Sequence, residues 1–233
     1  MSENIKKIMK AFMADLDSRE NQSIILKPST RPFNNQAHQV NEVAKKIYKL
    51  IEGTKHPNDD TILNHNEIKE AFFSPFKPQL KDAQVFLSHS HADKNKALKV
   101  KNYLESETNH RVFIDSLFWD YKDDVLNELA KYDDTSKIKD AFVLILRESL
   151  QDMIEKCPYF VFLESKNSVS NQGLSCITYS AWIYEELKIA HSISSKSRLI
   201  IVTESWQVSH NISPFLESLE TITLKKLSHI INS

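Results

Sequence analysis

A chain of 233 residues, 41% hydrophobic and 26% charged, has the balance of a globular protein with room for one sizeable core and an accessory segment. Its formal net charge of -1 is spread evenly. Residues 1–80 hold 12 Lys/Arg against 10 Asp/Glu and the remainder 18 against 21, so no nucleic-acid-binding surface is expected. The two glycines, Gly53 and Gly173, are too few for a P-loop or a GxGxxG turn, both of which need several for close backbone approach to phosphate.

No apolar run approaches the roughly 18 residues that span a bilayer. The stretch MSENIKKIMKAFMADLDS alternates charged and apolar residues instead of building the apolar centre of a signal peptide. A cytoplasmic protein with no membrane partner is expected. Cys157 and Cys176 can supply neither a disulfide framework nor, alone, a four-ligand zinc site, and both are read as reduced.

In chain order, helical patterns occupy residues 4–17, 36–51 (QAHQVNEVAKKIYKLI) and 65–73, separated by Pro-bearing stretches around LKPSTRPF and ended by SPFKPQ. Residues 1–80 are thus expected to form a small helical region. In 36–51, Val40, Val43, Ala44, Ile47, Leu50 and Ile51 form a stripe suited to packing on another surface, either a second copy or the chain's own remainder.

From residue 84 the pattern changes to short, nearly continuous apolar runs: QVFLS (84–88), RVFID (111–115), YFVFL (159–163) and RLIIV (198–202). Helical segments at 93–106 and 180–191 lie between them. AFVLIL (141–146) could pass for a strand, but its apolar spacing continues through Leu150, Met153 and Ile154, which predicts a helix over 137–156. The alternation implies an α/β domain over residues 81–233, with a central parallel sheet flanked by helices. The charges at Lys94, Lys96, Lys99 and Lys101 read as the solvated side of a helix.

In such sheets ligands bind beyond the carboxyl ends of the strands, and the segments that follow the runs are unusually polar: SHSHADK (88–94), DSLFWDYKDD (115–124) and ESKNSVSNQGLSCIT (164–178). The last is expected as a loop that closes over the crevice. The helix after it, YSAWIYEELKIAHS, carries an anomaly. At about 100° per residue, Ile183, Leu187, Ile189 and Ala190 form an apolar arc with Trp182, and Glu186 falls inside it, about 40° from Trp182. Glu185 falls on the polar side near Lys188. A glutamate inside an apolar arc either reaches solvent along its flexible stem or carries chemistry at the crevice.

The combination QVFLSHSHADK, HRVFIDSLFW and a strand–loop–helix ending in AWIYEEL resembles the TIR (Toll/interleukin-1 receptor) domain over roughly residues 82–205, specifically the bacterial TIR proteins that act on NAD. The resemblance implies a flavodoxin-like fold and an enzyme that breaks the nicotinamide N-glycosidic bond, with antiphage defence as the setting. NAD is then the substrate and no cofactor is needed. In enzymatic members the glutamate of this helix is catalytic, and the matching position is Glu186. The resemblance also implies self-association, through the TIR domain or the N-terminal helices.

Around that centre, Ser88 and His89 are candidates to line the nucleotide pocket or else to cap a helix, and Asp115 is a candidate ligand at a strand end. Trp119 could stack on a base or pack on the inserted segment 121–137, and Trp182 could exclude water from the site or belong to the core. His89, His91 and Asp93 lack further ligands at supporting spacing, so no metal is expected. Two other functions remain open: a TIR module that only assembles with other TIR domains, and a nucleoside deoxyribosyltransferase-like enzyme of similar layout. Nicotinamide release from NAD separates the three.

Overall fold

The computed structural model describes residues 9–27, 40–53, 64–76, 82–132, 135–172, 175–195 and 209–233. Two compact units emerge, one from residues 1–32, 82–114 and 151–233, the other from 33–81 and 115–150.

The first unit holds a five-stranded, wholly parallel sheet built from β1 (Lys10–Asp15), β2 (Ala83–Ser88), β3 (Arg111–Ile114), β4 (Tyr159–Glu164) and the short β8 (Glu220–Thr221), in the order β3-β2-β4-β1-β8. Helices flank it, which is the α/β architecture expected of a flavodoxin-like fold. Phe86 on β2 stacks on its register partner Phe160 on β4, with ring centroids 5.8 Å apart, and also meets Phe113 on β3. Val85, Phe86, Leu87, Phe160, Val161, Phe162 and Leu163 are each 0% exposed, as both-face coverage of central strands requires.

β1 corrects the expectation of a helix over residues 4–17. Lys10–Asp15 pairs with β4 along its full length and with β8 on its other side, burying Phe12 and Ala14. The sheet therefore crosses the boundary expected near residue 81. The run at 198–202 lies outside the described residues.

Three helices of this unit, α1 (Arg19–Ile25), α4 (Lys94–Glu107) and α9 (Leu224–Asn232), pack against one another. Ser18 and Thr223 cap α1 and α9 by accepting backbone N–H groups, and Asn21 ties the two helices together by accepting from the Leu224 N–H at 2.9 Å. The lysines of α4 are not simply solvated. Lys101 donates to the Val112 carbonyl at 2.7 Å and pairs with Glu105, which in turn accepts the Val112 N–H, so this ion pair satisfies backbone groups of β3 at the end of the sheet order.

The expected loop over 164–178 contains two short strands, β5 (Ser170–Gln172) and β6 (Ser175–Thr178), which pair antiparallel with each other and with β7 (His210–Asn211). Ser180 then caps α7 (Ala181–Ser195) by accepting the Ile183 N–H, and the short α8 (Ser213–Leu216) follows β7.

The second unit is helical, with α2 (Val40–Gly53), α3 (His65–Phe73), α5 (Ser116–Leu129) and most of α6 (Ser136–Lys156), whose last turns belong to the first unit. Phe72 lies at its centre, with ring centroids 4.9 Å from Phe73, 5.2 Å from Tyr121 and 5.1 Å from Phe142. Val43, Ala44 and Ile47 of the predicted stripe are buried, and α2 packs on α5 and α3, so these three residues belong to the intramolecular core, while Leu50 and Ile51 are half-buried. α3 and α6 occupy the predicted spans, and α5 takes up the polar segment at 115–124.

Candidate functional site

The chain order places the crevice. From β2 the chain steps to β3 on one side, and the next strand, β4, lies on the other side of β2. The strand order therefore reverses between β2 and β4, and in open α/β sheets the carboxyl ends at such a reversal form the ligand crevice.

Ser88 closes β2 at this point and is 0% exposed. Its hydroxyl donates to Glu186 Oε2 at 2.5 Å. Glu186 is itself 0% exposed, while Ile183, Leu187, Ile189 and Ala190 of α7 are buried, so the helical-face reading of YSAWIYEELKIAHS holds. Glu185, one residue earlier, is half-buried and faces Lys188 at 3.9 Å. Two adjacent glutamates thus face different partners, Ser88 for Glu186 and Lys188 for Glu185, because a helix rotates about 100° per residue.

His89 follows Ser88 and is buried, and Trp182, one turn before Glu186, is half-buried. Asp115, buried directly after β3, is the residue from which α5 starts. Trp119 lies within α5 and not in a loop, and its side chain lies outside the described residues.

Asp93, weighed in sequence beside His89 and His91, has a different role. Its buried carboxylate accepts from Ser165 Oγ at 2.5 Å, from Asn167 Nδ2 at 3.0 Å and from Lys96 Nζ at 3.2 Å. Lys96 also reaches Asp17 at 3.2 Å, and Asp17 accepts the Lys166 N–H. One network therefore joins the segments that leave β1, β2 and β4. Burial pushes Asp17 up, but the Lys166 N–H and the Lys96 ammonium outweigh it and hold the carboxyl below its usual value; Lys96 is correspondingly raised by Asp17 and Asp93 against the effect of burial. His91 is exposed, and among the described residues no group of three His, Cys, Asp or Glu converges as a metal site.

Glu164, the last residue of β4, is not among the candidates that the sequence singles out. It is half-buried, and burial followed by the charges of Asp15 and Asp17 raises its carboxyl above the usual range. The signal was present as a charge ending the apolar run YFVFL.

A probable 3' cyclic ADP-D-ribose synthase, ThsB', of Bacillus cereus (strain MSX-D12) is 27% identical to the chain over 177 residues, covering 76% of this chain and 77% of that protein. No family model matches the chain. No solved structure matches it either. Among the described residues, no helix is long and apolar enough to cross a membrane.

Proposed function

We propose that the chain is a TIR-type enzyme that breaks the N-glycosidic bond of NAD and closes the ADP-ribosyl group into a cyclic product, in antiphage signalling. The observation that carries this reading is the buried carboxylate of Glu186, held by Ser88 at the strand-order reversal of the sheet. The likeness to a probable cyclic ADP-ribose synthase supports it.

The chemistry suits a single strong anion. As the bond between the ribose C1 and the nicotinamide nitrogen breaks, its electron pair passes to the ring, and nicotinamide departs neutral without a proton donor. Positive charge develops on the ribose, as in glycoside hydrolysis. Glu186 stabilises that charge, and a water-poor setting strengthens the attraction. Ser88 fixes the carboxylate by a charge-assisted hydrogen bond. Because Glu186 is 0% exposed, the side chains that cover it move when substrate enters.

The test is incubation with NAD, read as free nicotinamide and as linear or cyclic ADP-ribose by chromatography, for the wild type and Glu186→Gln. Release by the wild type and its loss in the variant support the reading. A concentrated, self-associating wild type that releases none overturns it in favour of a non-catalytic TIR module.

A further inference from the structure

We propose that Glu164 is a second catalytic carboxylate, the base that takes the proton from the attacking hydroxyl during ring closure. The assignment rests on the NAD-cleaving reading of the Ser88–Glu186 site. Its geometry comes from the register of the sheet. Ser88 on β2 is the register partner of Phe162 on β4, and Glu164 lies two residues further along β4. Side chains two apart on a strand share a face, so Glu164 stands on the face that carries Ser88 and receives Glu186. The stacked pair Phe86 and Phe160, two residues before Ser88 and Phe162, marks the same face. Two residues of rise and one inter-strand step place the Glu164 and Ser88 Cα atoms roughly 8 Å apart. The two residues thus end the two strands between which the strand order reverses.

The environment suits a base. Among the described residues no donor hydrogen-bonds the Glu164 carboxylate, in contrast with Asp93, whose oxygens are engaged by three groups. Asp15, the register partner of Glu164, accepts the Asp17 N–H at 2.8 Å. Burial and the two aspartates raise its affinity for a proton.

Hydrolysis and cyclisation differ in the nucleophile. In closure at the 3' position, as in the product for which the Bacillus cereus relative is named, a hydroxyl of the adenosine-bearing ribose forms a bond to C1 as the bond to nicotinamide breaks, and the hydroxyl proton has to leave. Glu164 accepts that proton and then returns it to water, so that NAD gives the cyclic product, neutral nicotinamide and one proton. Glu186, spent on the positive charge of the sugar, is not needed as the base.

The experiment compares the full-length wild type, Glu164→Gln and Glu164→Asp, with nicotinamide, linear and cyclic ADP-ribose quantified together and folding checked by circular dichroism and thermal melting. A lost general base costs on the order of a hundredfold or more. Cyclic product is expected to fall by about that factor in Glu164→Gln, with nicotinamide release falling less because water captures part of the sugar cation, and Glu164→Asp is expected to restore part of the cyclic fraction. A folded Glu164→Gln with an unchanged ratio of linear to cyclic product overturns the assignment. So does a wild type that releases nicotinamide but makes only the linear product, and either result leaves the cleavage reading standing. A wild type that releases no nicotinamide sinks both.

Discussion

Replacing Glu186 by Gln changes one oxygen to NH2 while keeping the side chain's volume, so its effect on packing is small and its effect on charge is complete. Loss of one pre-positioned electrostatic group costs on the order of 10²–10³ in kcat, and nicotinamide release is expected to fall by at least that factor. The thermal midpoint is expected not to fall, because the substitution removes a charge from a position with 0% exposure and leaves an oxygen to accept from Ser88. Ser88→Ala deletes a hydrogen bond to a charged group worth about 1.5–3 kcal/mol. At about 1.4 kcal/mol per tenfold in rate, that is roughly 10- to 150-fold if the bond persists into the transition state. Glu185→Ala removes a carboxylate that faces Lys188 at 3.9 Å on the other side of the helix, so nicotinamide release is expected to change little. If Ser88 acts through Glu186, the double variant Ser88→Ala/Glu186→Gln is no slower than Glu186→Gln alone. Equal losses at Glu185 and Glu186, or unimpaired turnover in folded Glu186→Gln, would refute the assignment of Glu186 to the crevice.

A chain beginning at Lys81 lacks β1, and with it the burial of Met9, Phe12 and Leu16 at roughly 1.5–3 kcal/mol each, comparable with the whole stability of a domain; it is expected to be insoluble or to melt without a cooperative transition, and a cooperative melt would show β1 to be dispensable. The lowered Asp17 carboxyl contributes stability above 3.8 that is lost as pH falls through its folded pKa, and the raised Lys96 contributes stability below 10.5 that is lost as pH rises through its own. The difference in thermal midpoint between wild type and Lys96→Met should therefore be flat near neutrality and shrink at both extremes; a pH-independent difference would refute the pairing. Burial pushes the Cys157 thiol up to about 12, so an alkylating reagent on the native protein should modify Cys176 first and reach Cys157 only on unfolding, as peptide mass mapping would show.

What could be read in the sequence followed from how local each signal is. The inward turn of Glu186 depends on five neighbours within two helical turns, and the 3.6-residue period alone separates it from Glu185. The strands QVFLS, RVFID and YFVFL were legible because central strands buried on both faces are apolar throughout. KAFMAD reads as helix for the complementary reason: Lys, Ala and Met are good helix formers, the segment has no β-branched residue, and its strand state is decided by pairing with β4 about 150 residues away. The segment after β4 behaves likewise, since its Ser- and Asn-rich composition suits a loop until β5, β6 and β7 pair across nearly 40 residues. The same dependence on pairing hid Glu164. Its own strand gives only an alternation of faces; that its face is also that of Ser88 follows from the register Ser88–Phe162, and that its strand end borders the crevice follows from the position of β4 beside β2. A carboxylate on a helix is therefore placed by its own turn, whereas one on a strand acquires its partners only when the sheet closes. The first belongs to the sequence of one segment and the second to the topology.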